Sequence, residues 1–176
     1  RLHSELHLTN DKHLFDVDIA TTEFSMPVMG GASFNLWDPD FSAPHAMADP
    51  EVLIPHLVAK AKRGSRQARS PHAGMNIESN EDHPLSAPRI VFRSISRSDR
   101  PRTFLTTLVP PNVALANSAP YLLRRKGDLT DESYLLGLLS SIPFDWYIRR
   151  WVEMNVNFFL LKPVPIPRPE RDHPLR

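Results

Sequence analysis

The sequence predicts an α+β fold: a mixed, β-rich domain whose helices pack on late in the chain. Three observations predict it. Residues 89–95 (R-I-V-F-R-S-I) and 103–109 (T-F-L-T-T-L-V) are short runs rich in branched and aromatic residues, the composition of strands. Apolar residues from Leu135 to Trp151 recur at the i, i+3, i+4, i+7 spacing of helices. Strands and helices do not alternate, and no internal repeat is visible, so a parallel βαβ sheet is not expected.

Taken in order, residues 1–32 are weakly patterned, with apolar clusters at Leu14-Phe15 and from Phe24 to Met29. They read as an N-terminal arm or the remnant of a preceding region. Gly30-Gly31 marks a turn, and Ser33 to Trp37 a short strand before the Asp38-Pro39-Asp40 break. Asp49 is placed to cap a helix that has Pro50 at its first position. Val52, Leu53, His56, Leu57 and Lys60 follow at near-helical spacing, with Pro55 expected to kink or delay the helix. Residues 64–88 are polar, and a connection of roughly 25 residues reads as a mobile loop.

The two strand-like runs are joined by a basic segment, S-R-S-D-R-P-R, and the second is closed by Pro110-Pro111. Asn112 to Leu123 can add another strand, broken at Ser118-Ala119-Pro120. Thr130 is expected to cap a helix with Asp131 and Glu132 in its first turn, where carboxylates suit the positive end of the dipole. Leu135, Leu138, Leu139 and Ile142 would form its apolar stripe. Pro143 breaks that helix, and Ser141 can cap a second one carrying Phe144, Tyr147, Ile148 and Trp151, with Arg149 and Glu153 as an i, i+4 pair.

Composition bounds the function. At 176 residues, 41% hydrophobic and 23% charged, the chain suits one globular domain of ordinary size. No apolar run approaches the ~18–20 residues that span a bilayer, and no signal peptide opens the chain, so no membrane partner is expected. It begins at Arg1, as a piece of a longer protein would. With no cysteine, disulfides and thiolate zinc sites are excluded, which fits a cytoplasmic protein. The 18 prolines against 6 glycines favour stiff connections over glycine-rich phosphate loops.

The net charge of +1 conceals an asymmetry. Residues 1–56 carry two basic and nine acidic side chains, residues 57–126 thirteen and four, and residues 127–176 six and seven. A central basic block between neutral-to-acidic flanks suits a one-faced polyanion footprint. Within it, Arg89, Arg93 and Arg97 would share one side of a strand, with Arg100 and Arg102 close behind. Arginine binds phosphate oxygens, or reads guanine O6 and N7 through two parallel hydrogen bonds. Ser94, Ser96, Ser98 and Thr103 interleave as neutral donors suited to backbone contacts. A basic surface strand with ion pairs to Asp99 and the acidic N-terminal part accounts for the same residues.

Other constellations favour structure over chemistry. The aromatic series Phe144, Tyr147, Trp151, Phe158 and Phe159 can stack bases, but at helical spacing reads as core. Asn155 and Asn157 suit adenine edges, and suit caps and turns better. His3 and His7, with Glu5 and Asp11, make half a metal site only if that segment is helical. No nucleotide-binding glycine motif is present. Val109-Pro110-Pro111-Asn112 lacks the leading amide and trailing aromatic of an amino-methyltransferase motif. No lysine has a carboxylate two positions before it, as a metal-dependent restriction nuclease requires. No catalytic residue is assigned to this chain.

Tyr134 to Pro167 (Y-L-L-G-L-L-S-S-I-P-F-D-W-Y-I-R-R-W-V-E-M-N-V-N-F-F-L-L-K-P-V-P-I-P) resembles the closing segment of target-recognition domains of restriction–modification enzymes. The likeness lies in a Leu-Leu-x-x-Leu-x-Ser helix and an Ile166-Pro167-Arg168-Pro169 tail. Pro88 to Arg93, Arg100 to Thr103 and Leu108 to Asn112 resemble the central part of the same family. Ser33 to Asp40 and Asp49 to Glu51 resemble a segment preceding it in some members. The relatives are the specificity domains of large adenine-N6 methyltransferases and type IIG restriction–methylation enzymes.

The resemblance implies a recognition domain over residues 33–169, followed by a tail at 170–176. It implies double-stranded DNA as partner, contacted in the major groove, and docking beside the catalytic methyltransferase domain of the same chain. S-adenosylmethionine, with Mg²⁺ where the parent also cleaves, would be bound outside this chain. The expected DNA-contacting set is Arg89, Arg93, Arg97, Arg100, Arg102, Ser96 and Asn112. A protein-interaction module, a separate specificity subunit and part of a nuclease site stand as alternatives.

Overall fold

The two strand-like runs pair with each other inside an antiparallel sheet that has both faces buried. The computed structural model describes residues 1–170. In chain order its elements are strands β1 (Leu2–His3), β2 (Met26–Met29) and β3 (Ala46–Ala48), helix α1 (Pro50–Ser65), strands β4 (Arg89–Phe92), β5 (Thr106–Val109), β6 (Ala114–Leu115) and β7 (Tyr121–Leu122), and helices α2 (Leu129–Leu139), α3 (Ile142–Arg149) and α4 (Phe158–Leu161). One sheet has the order β1-β7-β4-β5, the other β3-β2-β6. In the first, Arg89 faces Val109 and Phe92 faces Thr106. In the second, β2 runs antiparallel to β3 and parallel to β6. The fold is therefore α+β, as the sequence predicts.

The alternation of β4 organises the core. Ile90 and Phe92 point to a cluster with Phe104, Leu136, Leu139, Phe144 and Ile148, beneath α2 and α3. Val91 points the other way, to Met29, Phe34, Leu115 and Tyr121 between the sheets. A third cluster joins Val28 and Ala46 of the second sheet to Leu53 and Leu57 of α1. With a period of two, one strand thus fills two cores.

The helix signals hold in part. Asp49 caps α1 by accepting the Glu51 N–H at 2.9 Å, and α1 continues through Pro55. Ser141 caps α3. The cap of α2 is Asp128, not Thr130, closed by a capping box with Asp131. Its buried face carries Leu136 and Leu139, while Ile142 is 74% exposed. Leu135 and Leu138 are only half-buried. Arg149 pairs with Asp145 at 2.7 Å, because α3 ends before Glu153 can complete a turn.

Three segments depart from their expected roles. Residues 1–32 are not a free arm: β1 pairs with β7, β2 centres the second sheet, and Leu6 bridges to Ala116. Residues 64–88 begin inside α1, and Ile77, His83 and Leu85 are buried, so apolar anchors hold what polar composition suggested was mobile. Ser33 to Trp37 form a turn closed by an Asn35–Asp38 bridge rather than a strand. Residues 171–176 of the expected tail lie outside the described residues.

Buried polar groups tie the N-terminal strand to the sheet. Glu5 and Arg89, 2% and 3% exposed, form an ion pair at 3.0 Å. Glu5 also accepts the Leu115 N–H at 2.9 Å, and Arg89 lies 4.9 Å from the Tyr121 ring centroid. Beside them the His3 ring stands edge-on to His72 at 4.5 Å, and His72 stacks with His83 at 6.2 Å. Burial, followed by nearby positive charge, pulls the pKa of His3 down to about 3 and those of His72 and His83 to about 4.

These imidazoles stay neutral in the folded protein, whereas an unfolded histidine takes up a proton near 6.5. Below pH 6.5 the unfolded chain therefore binds more protons, and stability falls as pH is lowered. Urea titrations should show stability level above pH 6.5 and declining from there toward about 4. His72→Gln combined with His83→Gln should flatten the decline; an unchanged slope would rule out the cluster as its source.

Candidate nucleic-acid interface

The basic connection between β4 and β5, residues 93–105, is latched at three places. Along its first arm, Ser96 N–H donates to Met154 O at 3.1 Å and Val156 N–H to Ser94 O at 2.7 Å. At its tip, Arg149 donates to Ser98 O at 3.2 Å and Pro101 O at 2.8 Å. Along the returning arm, the N–H groups of Thr103 and Phe104 donate to one Asp145 oxygen at 2.8 and 2.7 Å. Burial works to raise the pKa of Asp145. The Phe104 N–H, Arg149, the Thr103 N–H and the Arg102 charge together outweigh it and hold the carboxyl below its ordinary range.

Opposite this loop lies the turn at residues 33–41. The Asn35 N–H donates to Asp38 O at 2.8 Å and the Asp38 N–H returns to Asn35 O at 3.1 Å. Trp37 sits between them with φ 62°, a left-handed conformation that a bulky residue rarely adopts. Arg93 fastens the turn to the loop, donating through Nε to Gly31 O and at 2.6 Å to Phe34 O. A Cβ on Gly31 would stand 2.6 Å from Ser118 O, so this close approach requires glycine.

Between loop and turn runs a groove of about 500 Å³. Asn35, Leu36 and Phe41 line one side; Arg93, Ile95, Ser96, Arg97, Arg100 and Arg102 line the other. Four of the five arginines picked from the sequence therefore converge, but not in one role. Arg93 and Arg102 are half-buried and spend donors on backbone carbonyls, Arg102 on those of Ser140 and Ser141. Arg97 and Arg100 are exposed. Arg97 pairs with Asp99 at 3.1 Å in solvent, a contact worth little and easily exchanged. Arg100 has no ion-pair partner among the described residues.

Of the remaining expected contacts, Arg89 is withdrawn by its burial, whereas Ser96 borders the groove and Asn112 is exposed away from it. Arg89 is buried against Glu5 and Val113 O, so it supports the fold and does not reach the surface. β4 ends at Phe92, which is why the strand geometry expected to align Arg89 with Arg97 does not persist. Ser96 lines the groove but is only 7% exposed. Asn112 occupies a left-handed turn position, φ 61°, and donates its N–H to Leu85 O at 2.8 Å. Turn chemistry accounts for that residue, which does not line the groove.

The sequence reading missed the other wall. Asn35, Leu36 and Phe41 carried a signal only in the density of apolar and aromatic residues around Asp38-Pro39-Asp40. It also misjudged the late aromatics: Phe144 is core, but Tyr147 is 39%, Trp151 60% and Phe159 69% exposed. Trp146, at 57%, and Met154, at 66%, are exposed as well, and the Arg150 guanidinium lies 3.7 Å from the Trp146 ring centroid. The half metal site does not assemble: His3 packs on His72, Glu5 takes Arg89, and Asp11 accepts the His7 N–H. Among the described residues, no cluster of three His, Cys, Asp or Glu side chains can hold a metal ion, and no helix is long and apolar enough to cross a membrane.

Asp145→Ala would leave the buried Thr103 and Phe104 N–H groups without their acceptor and remove the carboxylate paired with Arg149. A loss of about 3–5 kcal/mol is expected in urea unfolding, with Asp145→Asn recovering part of it; full stability in the alanine variant would show that the latch does not hold the loop. Searches with known families and curated proteins returned no match to this chain.

Proposed function

We propose that this chain is the DNA sequence-recognition module of a restriction–modification adenine-N6 methyltransferase, which positions the catalytic domain on its target site. The observation that carries the reading is the convergence of Arg93, Arg97, Arg100 and Arg102 on one groove. Two of these are braced by backbone carbonyls and two are exposed to solvent, a division suited to a rigid frame with mobile phosphate contacts. The groove has no lining carboxylate to meet the amino and sulfonium groups of S-adenosylmethionine, so it does not fit the methyl donor. That cofactor, and Mg²⁺ if the parent cleaves, belong to the catalytic part. Duplex DNA is the partner of the groove.

Fluorescence anisotropy with a labelled duplex tests this. Affinity should fall steeply with salt, because each neutralised phosphate releases counterions. Arg97→Ala with Arg100→Ala should lower the log–log salt slope by about 2 and weaken binding to every sequence alike. Binding that ignores salt, or is untouched in the double variant, would sink the reading.

The exposed set Trp146, Tyr147, Trp151, Met154 and Phe159 supports the docking half of the proposal. Exposed tryptophan, tyrosine, phenylalanine and methionine side chains are the residue types enriched at the cores of protein interfaces. The catalytic domain of the same protein is its proposed occupant. In the intact parent, Trp151→Ser with Phe159→Ser should leave the chain's own DNA affinity unchanged and lower site-specific methylation by about tenfold or more, as loss of interface anchors does. Full methylation would reject this surface as the dock.

A further inference from the structure

We infer that the cavity bordered by α2, α3 and α4 binds a soluble amphipathic anion, with its apolar body among the helices and its acidic head at the rim. The inference does not depend on the DNA-binding reading, since this cavity and the arginine groove have no lining residue in common.

Apolar lining is the first observation. The cavity holds about 490 Å³, a size typical of small-molecule sites. Phe104, Leu139 and Phe144 line it from the core and are almost fully buried. Leu2 of β1, Leu122 of β7, Leu135 of α2 and Leu161 of α4 form its sides, with Ile166 beyond. These five are only half-buried: each packs on the core cluster beneath the helices and leaves apolar surface open to the cavity. An apolar body seated there would remove that surface from water.

Charge is the second. Arg1, Arg69 and Lys162 line the same cavity and are exposed, and no carboxylate lines it. The Arg1 guanidinium donates to Ser70 O at 2.8 Å and Pro71 O at 3.4 Å, and Arg125 to Pro71 O at 3.3 Å. Those bonds fix the segment that carries Arg69 at the rim. Among the described residues, neither Arg69 nor Lys162 forms an ion pair. Glu132 lines a neighbouring cavity instead, where it accepts from Arg124 at 3.0 Å. Cations bordering an apolar cavity without acids complement a ligand that is apolar at one end and negative at the other. A neutral or cationic body of the same shape gains nothing from them.

Isothermal titration calorimetry with octanoate, decanoate, 1-octanol and octyltrimethylammonium tests it. Octanoate and decanoate should each saturate one site, with affinity rising about fourfold for each added methylene. Octyltrimethylammonium should bind more weakly than octanoate. Arg69→Glu with Lys162→Glu, both at exposed positions, should weaken decanoate at least about tenfold while leaving 1-octanol unchanged. Leu161→Trp, which fills the cavity from its side, should weaken both without lowering the urea midpoint. Absence of saturable binding would overturn the inference, as would octyltrimethylammonium binding as tightly as octanoate. Decanoate affinity untouched by either variant would overturn the assignment to this cavity. Sedimentation with phosphatidylglycerol vesicles that is lost in the same variants would assign the cavity to a membrane lipid and overturn the soluble ligand.

Discussion

The Asp145 carboxylate is the contact on which the candidate interface depends. It is 4% exposed in the first turn of α3, and it accepts the Thr103 and Phe104 N–H groups while pairing with Arg149. A buried carboxylate is unfavourable unless its lone pairs are filled, and here they are filled from the loop that bears the arginines. Packing of α3 on the sheet and placement of the basic loop are consequently one event. Arg149 extends the coupling to the loop tip through Ser98 O and Pro101 O. A connection of thirteen residues from 93 to 105 is thus ordered largely by α3, with Met154 and Val156 beyond that helix pairing with its first arm.

A second buried carboxylate plays the same part on the far side of β4. Glu5 joins Arg89 to the Leu115 N–H, linking the N-terminal strand, the central sheet and β6. Breaking either partner of such a pair typically costs about 3–5 kcal/mol, because an unpaired charge is left in the core. Charge therefore determines which chain segments meet, and apolar alternation along β4 fills the space they enclose.

The arginines of the basic block show how one residue type divides between fold and surface. Arg89 is wholly structural, Arg93 and Arg102 hold carbonyls while bordering the groove, and Arg97 and Arg100 are exposed. Burial accounts for the division. A guanidinium out of water must satisfy its fork of donors within the protein, so its capacity for an external phosphate falls as its depth increases. Burial, and then proximity to Arg100, both act on Arg93, lowering its pKa from the ordinary guanidinium value.

The sequence by itself determined the fold class, the two runs that contain β4 and β5, the Asp49 and Ser141 caps, and the block from which one wall of the arginine groove is built. Those features rest on local chemistry: side-chain alternation, capping oxygens and charge density. It misplaced the cap of α2, the buried face of that helix and the partner of Arg149, because Asp128, Leu136 and Asp145 differ from their rivals only in what lies across from them. Tertiary structure alone decided that Glu5 meets Arg89 across 84 residues, that residues 64–88 are pinned by Ile77 and Leu85, and that the turn at Trp37 faces the arginine loop. The physical reason is sequence distance: periodicity reports which face of an element is apolar, whereas the partner of a buried charge is chosen by the whole chain folding around it.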